Sequence, residues 1–140
     1  MKRMAPDGMF DELKRIDDFI HRSSLDLQLL ELMRLRVAQL NDCAFCVQMH
    51  TKELIKIGES EKRVTFLSSW CETVLFTEKE RATLKFAESL TNLSEKSINK
   101  ANINLLSDYF TIDEIWYLTL AICQINTWTR VMKVFPLLVE

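Results

Sequence analysis

Apolar residues along this chain recur at helical spacing. From Met9 to Arg22, Phe10, Leu13, Ile16, Phe19 and Ile20 fall on one side, with Asp and Lys between them, which predicts an amphipathic first helix. Ser23 and Ser24 break the pattern. A second helix from about Asp26 to Leu40 is apolar on nearly all sides, so it is expected to be buried by neighbours or by another subunit. A third follows, with Asn41 and Asp42 as its N-terminal cap and Gly58 as its C′ residue. Ser60 can cap a short helix over Glu61 to Ser69, and Trp70 and Cys71 lie in the connection after it. Thr77-Glu78-Lys79-Glu80 and Thr111-Ile112-Asp113-Glu114 are capping boxes, opening helices that reach Leu90 and Val134. Between them, Asn92 to Asn99 reads as a loop and Lys100 to Tyr109 as a shorter helix. Pro136 stops the last one.

Glycine and proline scarcity strengthens this reading. The chain has two of each, and Pro6, Gly8 and Pro136 lie near the termini. Strands and hairpins need turn residues, so an all-α fold follows: a compact bundle of about six to seven helices. At 140 residues the chain is expected to be a single domain, 1–140. The apolar surplus of the second and last helices points to a homo-oligomer.

Charge and leader features narrow the function classes. Net charge is −2 and no basic block occurs, which argues against nucleic acid as a partner. The start, MKRMAPDGMF, lacks the apolar core of a signal peptide, and no run reaches membrane-spanning length. A cytoplasmic location is expected. There, four cysteines point to catalysis or metal binding rather than a disulfide framework.

The candidate chemistry lies in the stretch Glu31 to Gly58. On one helix Cys43 and Cys46 stand at i and i+3, and Cys46 and His50 at i and i+4, so all three share a face. A helix start lowers the pKa of a thiol, His50 can take its proton, and Glu31 can orient the imidazole. Spacing does not decide which cysteine attacks. Proximity to His50 favours Cys46, and the more N-terminal position favours Cys43 as the one that meets a reductant. Cys43, Cys46 and His50 also read as three soft metal ligands, with Glu31 a possible fourth, as in a zinc site or a redox-sensing module. Glu31 has a bland alternative, pointing to solvent beside Arg34. Arg34 and Arg36 read as interface or solvated charges, and Asn126 and Arg130 as lining a pocket or an interface. Cys71 and Cys123 read as structural, and Trp116, Trp128 and the methionines as core. Phe45, Trp70 and Met49 hint at an apolar entrance.

These pieces together resemble the alkylhydroperoxidase D-like family, within the carboxymuconolactone decarboxylase superfamily. The resemblance rests on Glu31 twelve residues before Cys43, on LRVAQLNDCAFCVQMHTKEL, on LFTEKERA with Trp70 upstream, and on LTLAICQINTWTR. It implies a helical subunit assembled into trimers or hexamers, with peroxidase or disulfide-reductase activity at the two cysteines. Carried over, Glu31, Cys43, Cys46 and His50 are the catalytic set, with no metal and no cofactor. A hydroperoxide would be the substrate, and an external dithiol (thioredoxin-like or lipoyl-type) the reductant. Two departures stand out. Phe45 occupies a position where some members carry a second histidine, and Thr129-Arg130 replaces the usual Asn-Arg. Decarboxylation is disfavoured, because the true decarboxylases lack the cysteine pair.

Overall fold

The computed structural model describes residues 5–93, 98 and 100–135. Among them are seven α-helices, one 3₁₀-helix and no strand. The α-helices are α1 (Met9–His21), α2 (Leu27–Leu40), α3 (Ala44–Lys56), α4 (Glu61–Phe66), α5 (Glu78–Thr91), α6 (Lys100–Leu106) and α7 (Ile112–Val134), and the 3₁₀-helix, Leu67–Glu72, follows α4. Most of the expected Asn92 to Asn99 loop, and Pro136, lie outside the described residues.

α2 is the axis of the bundle. It packs on α3, α5, α7 and the 3₁₀-helix. Every residue from Leu29 to Leu35 is buried, with Val37 and Ala38. Each fully buried Leu or Met there contributes roughly 1.5–3 kcal/mol. The apolarity of α2 is therefore largely satisfied inside the subunit, and only Leu27 and Leu40, at its two ends, keep more than a third of their surface exposed. α1 is amphipathic as expected, but only Ile20 is buried. Phe10, Ile16 and Phe19 keep more than a third of their surface exposed.

Both capping boxes form. Thr77 accepts from the Glu80 N–H at 3.2 Å while Glu80 accepts from the Thr77 N–H at 2.8 Å, and Thr111 and Glu114 repeat the arrangement at 3.2 and 2.9 Å. Three expectations need correction. Trp116 is not core but 70% exposed, because α7 is apolar all round and so gives no face signal. Cys71 and Cys123 are exposed free thiols rather than buried structural ones. α4 stops at Phe66, and Trp70 and Cys71 lie in the 3₁₀-helix rather than an irregular connection. Among the described residues no helix is long and apolar enough to cross a membrane.

Candidate functional site

The turn from α2 to α3 sets the cysteines. Asp42 takes a left-handed backbone (φ 50°), which Asp tolerates better than most residues. Its N–H bonds to the Gln39 carbonyl at 3.2 Å, and the Cys43 N–H bonds to the Ala38 carbonyl at 3.1 Å. This is a Schellman closure with aspartate where glycine is usual. It leaves Cys43 extended (φ −92°, ψ 92°) just before the helix. Cys43, not Asn41 or Asp42, is therefore the N-cap: its Sγ accepts from the Cys46 N–H at 3.4 Å. Asn41 closes α2 instead, and its amide donates to Asn126 at 3.0 Å and Thr129 at 2.9 Å. Thr129 is thus fully buried and ties the cysteine turn to α7.

Both sulfurs are buried in one cluster with Ala38 and Met132, and Cys46 also borders a cavity of about 830 Å³ whose lining does not include Cys43. Burial pushes the Cys46 thiol up to about 12, and a hydrogen bond to Cys43 and the charge there add to it.

His50 lies one turn beyond Cys46 on the same cavity, and its Nδ1 is 2.6 Å from Oε2 of Glu31. The other oxygen of Glu31 accepts from Arg34 at 2.7 Å. Burial works against an ionised Glu31, but His50 and Arg34 outweigh it and hold the carboxyl below its ordinary range. With Glu31 ionised, Nδ1 of His50 must be the donor. Its buried Nε2 then has no partner among the described residues, a rare state for such an atom. Arg34, 4% exposed, is neither solvated nor an interface charge. It also reaches His21 at 2.8 Å and Asp17 at 3.8 Å. Sequence reasoning did not single out His21 or Asp17, since both sit on α1. The available signal was a charged i,i+3 pair in the largely apolar α2.

Apolar side chains form most of the rest of the cavity, among them Phe10, Leu30, Phe45, Met49, Trp128 and Met132, with Lys14 and Glu53 also on its lining. Phe10 stacks on Trp128 with centroids 5.8 Å apart. Trp70, expected at the entrance, lies elsewhere: its indole N–H donates to Glu88 at 2.7 Å, and Arg36 pairs with the same carboxylate inside the subunit. Arg130 is exposed and bonds back to Asn126. Among the described residues no three His, Cys, Asp or Glu side chains converge to hold a metal. Glu31 is already committed to His50 and Arg34.

A helical bundle with a thiol pair at a helix start, facing a buried Glu–His couple, defines a class of thiol-site proteins. The model of the carboxymuconolactone decarboxylase family matches residues 9–89, and the chain belongs to that family, with an alkylhydroperoxidase D-like fold. It is 32% identical to the uncharacterized protein YdfG of Bacillus subtilis over 91% of this chain and 86% of that one. A crystal structure from Agrobacterium tumefaciens, of a protein of unknown function put forward as an AhpD antioxidant defence protein, superposes with a TM-score of 0.89. The two share 33% identity over 97% of this chain and 94% of the other. The debrominase Bmp8 has the same fold, with a TM-score of 0.78 at 18% identity over 94% of this chain and 69% of its own.

Proposed function

We propose that the chain is a thiol-dependent peroxidase that reduces organic hydroperoxides at Cys43 and Cys46. The observation that carries this is the bare, buried Nε2 of His50, held by Glu31 on the cavity that Cys46 borders. Cys46 is the attacking sulfur, because a peroxide in the cavity meets it and not Cys43. Its raised pKa makes the base necessary: His50 takes the proton as substrate arrives, and Glu31 stabilises the imidazolium. Among the described residues no hydrogen bond joins the two groups directly, so the proton crosses by way of an O–H in the cavity.

The thiolate attacks the outer peroxide oxygen. The S–O bond forms, the O–O bond breaks, and the alkoxide leaves with the proton from His50. Cys43 then condenses with the sulfenic acid, water leaves, and a disulfide remains. An external dithiol, thioredoxin-like or lipoyl-type, resets the pair and is itself oxidised. Each turnover converts one hydroperoxide and two thiols into an alcohol, water and a disulfide. The apolar cavity suits organic hydroperoxides better than hydrogen peroxide. The working form is a cytoplasmic homo-oligomer, a trimer or hexamer as the family resemblance implies. Light scattering that returned a 16.4 kDa monomer at micromolar concentration would refute the assembly.

The test is a thiol count before and after one equivalent of cumene hydroperoxide, with mass mapping. Two thiols should disappear and Cys43 should be linked to Cys46, while Cys71 and Cys123 stay reduced. Those two are the exposed thiols, so a main disulfide that includes either would sink the proposal.

A further inference from the structure

The hydrogen-bonded chain through the site does not end at Arg34. Nη1 of Arg34 lies 2.8 Å from Nε2 of His21, at the end of α1. A guanidinium has no acceptor, so this nitrogen of His21 carries no proton. The ring is neutral, with its hydrogen on Nδ1. His21 is exposed, whereas Arg34, Glu31 and His50 are buried. Solvent protons therefore reach the chain at His21. Lys14 and Asp17 face it from its own helix, Glu31 and Arg34 from α2, and His50 and Glu53 from α3, all on one cavity. α7 contributes Trp128, whose ring N–H holds Asp17 at 2.8 Å. Asp17 stands 3.8 Å from Arg34, too far to replace His21 as hydrogen-bond partner.

We propose that His21 is a positioning residue for the thiol site: its bare Nε2 seats Arg34, Arg34 fixes one oxygen of Glu31, and the other oxygen holds His50 with Nε2 free. Protonation of His21 removes the acceptor and sets a second cation against Arg34, so acidification unseats the chain from its outer end. This rests on the reading above, in which His50 accepts the thiol proton. It adds a second histidine to the cavity from another helix, in a chain where Phe45 stands between the cysteines.

The chain has two histidines, so long-range nitrogen–proton NMR reads each ring without ambiguity. In the folded wild type at neutral pH, His21 should show its proton on Nδ1. In His21→Ala the ring of His50 should drift toward the Nε2–H tautomer that free imidazole side chains favour. Alkylation of Cys46 by iodoacetamide should slow roughly tenfold, the scale of one hydrogen bond to a charged group. His21→Gln keeps an acceptor for Arg34 and should restore at least half of that loss. It carries no titrating ring, so it should also flatten the acid side of the alkylation profile. If His21→Ala does not fold, the acid-side profile of His21→Gln decides. A proton on Nε2 of His21, an unchanged His50 tautomer in His21→Ala, or an unaltered acid limb in His21→Gln would each overturn the proposal. Wild-type protein that leaves cumene hydroperoxide intact refutes the peroxidase reading instead, and the ring tautomers still decide the positioning.

Discussion

Two ionic clusters flank α3, one partly exposed and one buried, and they differ in what they leave unused. Beyond its C-terminal end, Arg63 commits all its N–H groups. Nε and Nη2 go to Glu59 at 2.9 and 3.2 Å, Nη1 goes to the Leu75 carbonyl at 2.6 Å, and Nη1 and Nη2 go to Glu80 at 3.1 and 2.7 Å. Gln28 on α2 completes the coordination of Glu59. Against the middle of α3, Nη2 of Arg34 and Nε2 of His50 have no hydrogen-bond partner among the described residues. A saturated cluster has nothing left to offer a substrate, so its role is to join α2, α4 and α5. An unsaturated one carries a desolvation penalty of roughly 1–3 kcal/mol per idle group, and in exchange keeps a base ready. The difference predicts that mutations at the two clusters separate stability from chemistry.

The largest effect should come from Cys46→Ser, which removes turnover altogether. Cys43→Ser should still consume one equivalent of peroxide and stop at the sulfenic acid, which a sulfenate-trapping reagent detects. It also removes the thiolate charge that adds to the burial effect on Cys46, although its hydroxyl can still hydrogen-bond there. Alkylation of Cys46 should then set in at lower pH than in wild type. An unmoved profile would show that the two sulfurs do not share a proton.

Arg63→Ala should be the costliest change to the fold at the saturated cluster. It leaves Glu59 buried without its cation, and breaking such a pair costs roughly 3–5 kcal/mol, less here because Arg63 is partly exposed. Urea unfolding should show the loss, while thiol reactivity in the folded protein stays as it was. Should the thiols change as well, the two clusters are coupled through α3 and the division above is wrong.

Glu31→Gln should instead change thiol reactivity. It keeps the shape but cannot stabilise an imidazolium, so thiolate formation slows at least tenfold near neutral pH, within the roughly 10²–10⁴-fold range of positioned acid–base groups. The deficit should shrink as pH rises and hydroxide deprotonates the thiol unaided. Coincident iodoacetamide profiles for wild type and Glu31→Gln would exclude Glu31 from the relay. Acid stability links both ends. Burial raises the carboxyls of Glu31 and Glu59, but their partners prevail and both lie below the ordinary value of 4.5. A depressed carboxyl stabilises fully above its unfolded pKa, and that contribution is lost as pH falls through the folded one. The urea midpoint should therefore drop below about pH 4.5 in wild type and drop less in Glu31→Gln and in Glu59→Gln. Variants as acid-sensitive as wild type would remove this account.

Legibility in the sequence divides along a similar line. Both capping boxes and Gly58 were readable because each is settled within a few residues, and Gly58 indeed takes φ 93°. Glu31, Cys46 and His50 were readable as a set because two share α3 and the third is a carboxylate in an apolar helix. The role of Cys43 as cap was not, because it depends on Asp42 entering a backbone region that non-glycine residues rarely occupy. His21 and Asp17 were not, because what makes them matter is Arg34, thirteen or more positions away on another helix. Trp116 misled because an all-apolar helix has no pattern from which to read its outward face.

The smallest effects compare the two ends of α3 most directly. Gly58 closes α3 as Asp42 closes α2: its N–H bonds to the Ile55 carbonyl at 3.1 Å, and the Glu59 N–H bonds to the Leu54 carbonyl at 2.9 Å. A Cβ at Gly58 would meet nothing within 4 Å, so only the positive φ opposes Gly58→Ala. The expected loss is about 1 kcal/mol, at the lower end of the left-handed penalty, because alanine also restricts the unfolded chain. Asp42→Ala should lose a similar or smaller amount, since aspartate already bears part of that strain. Their chemistry should differ. The turn at Asp42 holds the Cys43 N–H and sets the Cys43–Cys46 contact, so relaxing it should shift the pH at which Cys46 is alkylated. The turn at Gly58 lies two helical turns beyond His50 and should leave that pH where it is. Matched losses in the urea midpoint with divergent alkylation profiles would place the strain at Asp42 within the thiol site. Matched profiles would reduce Asp42 to a helix terminator like Gly58.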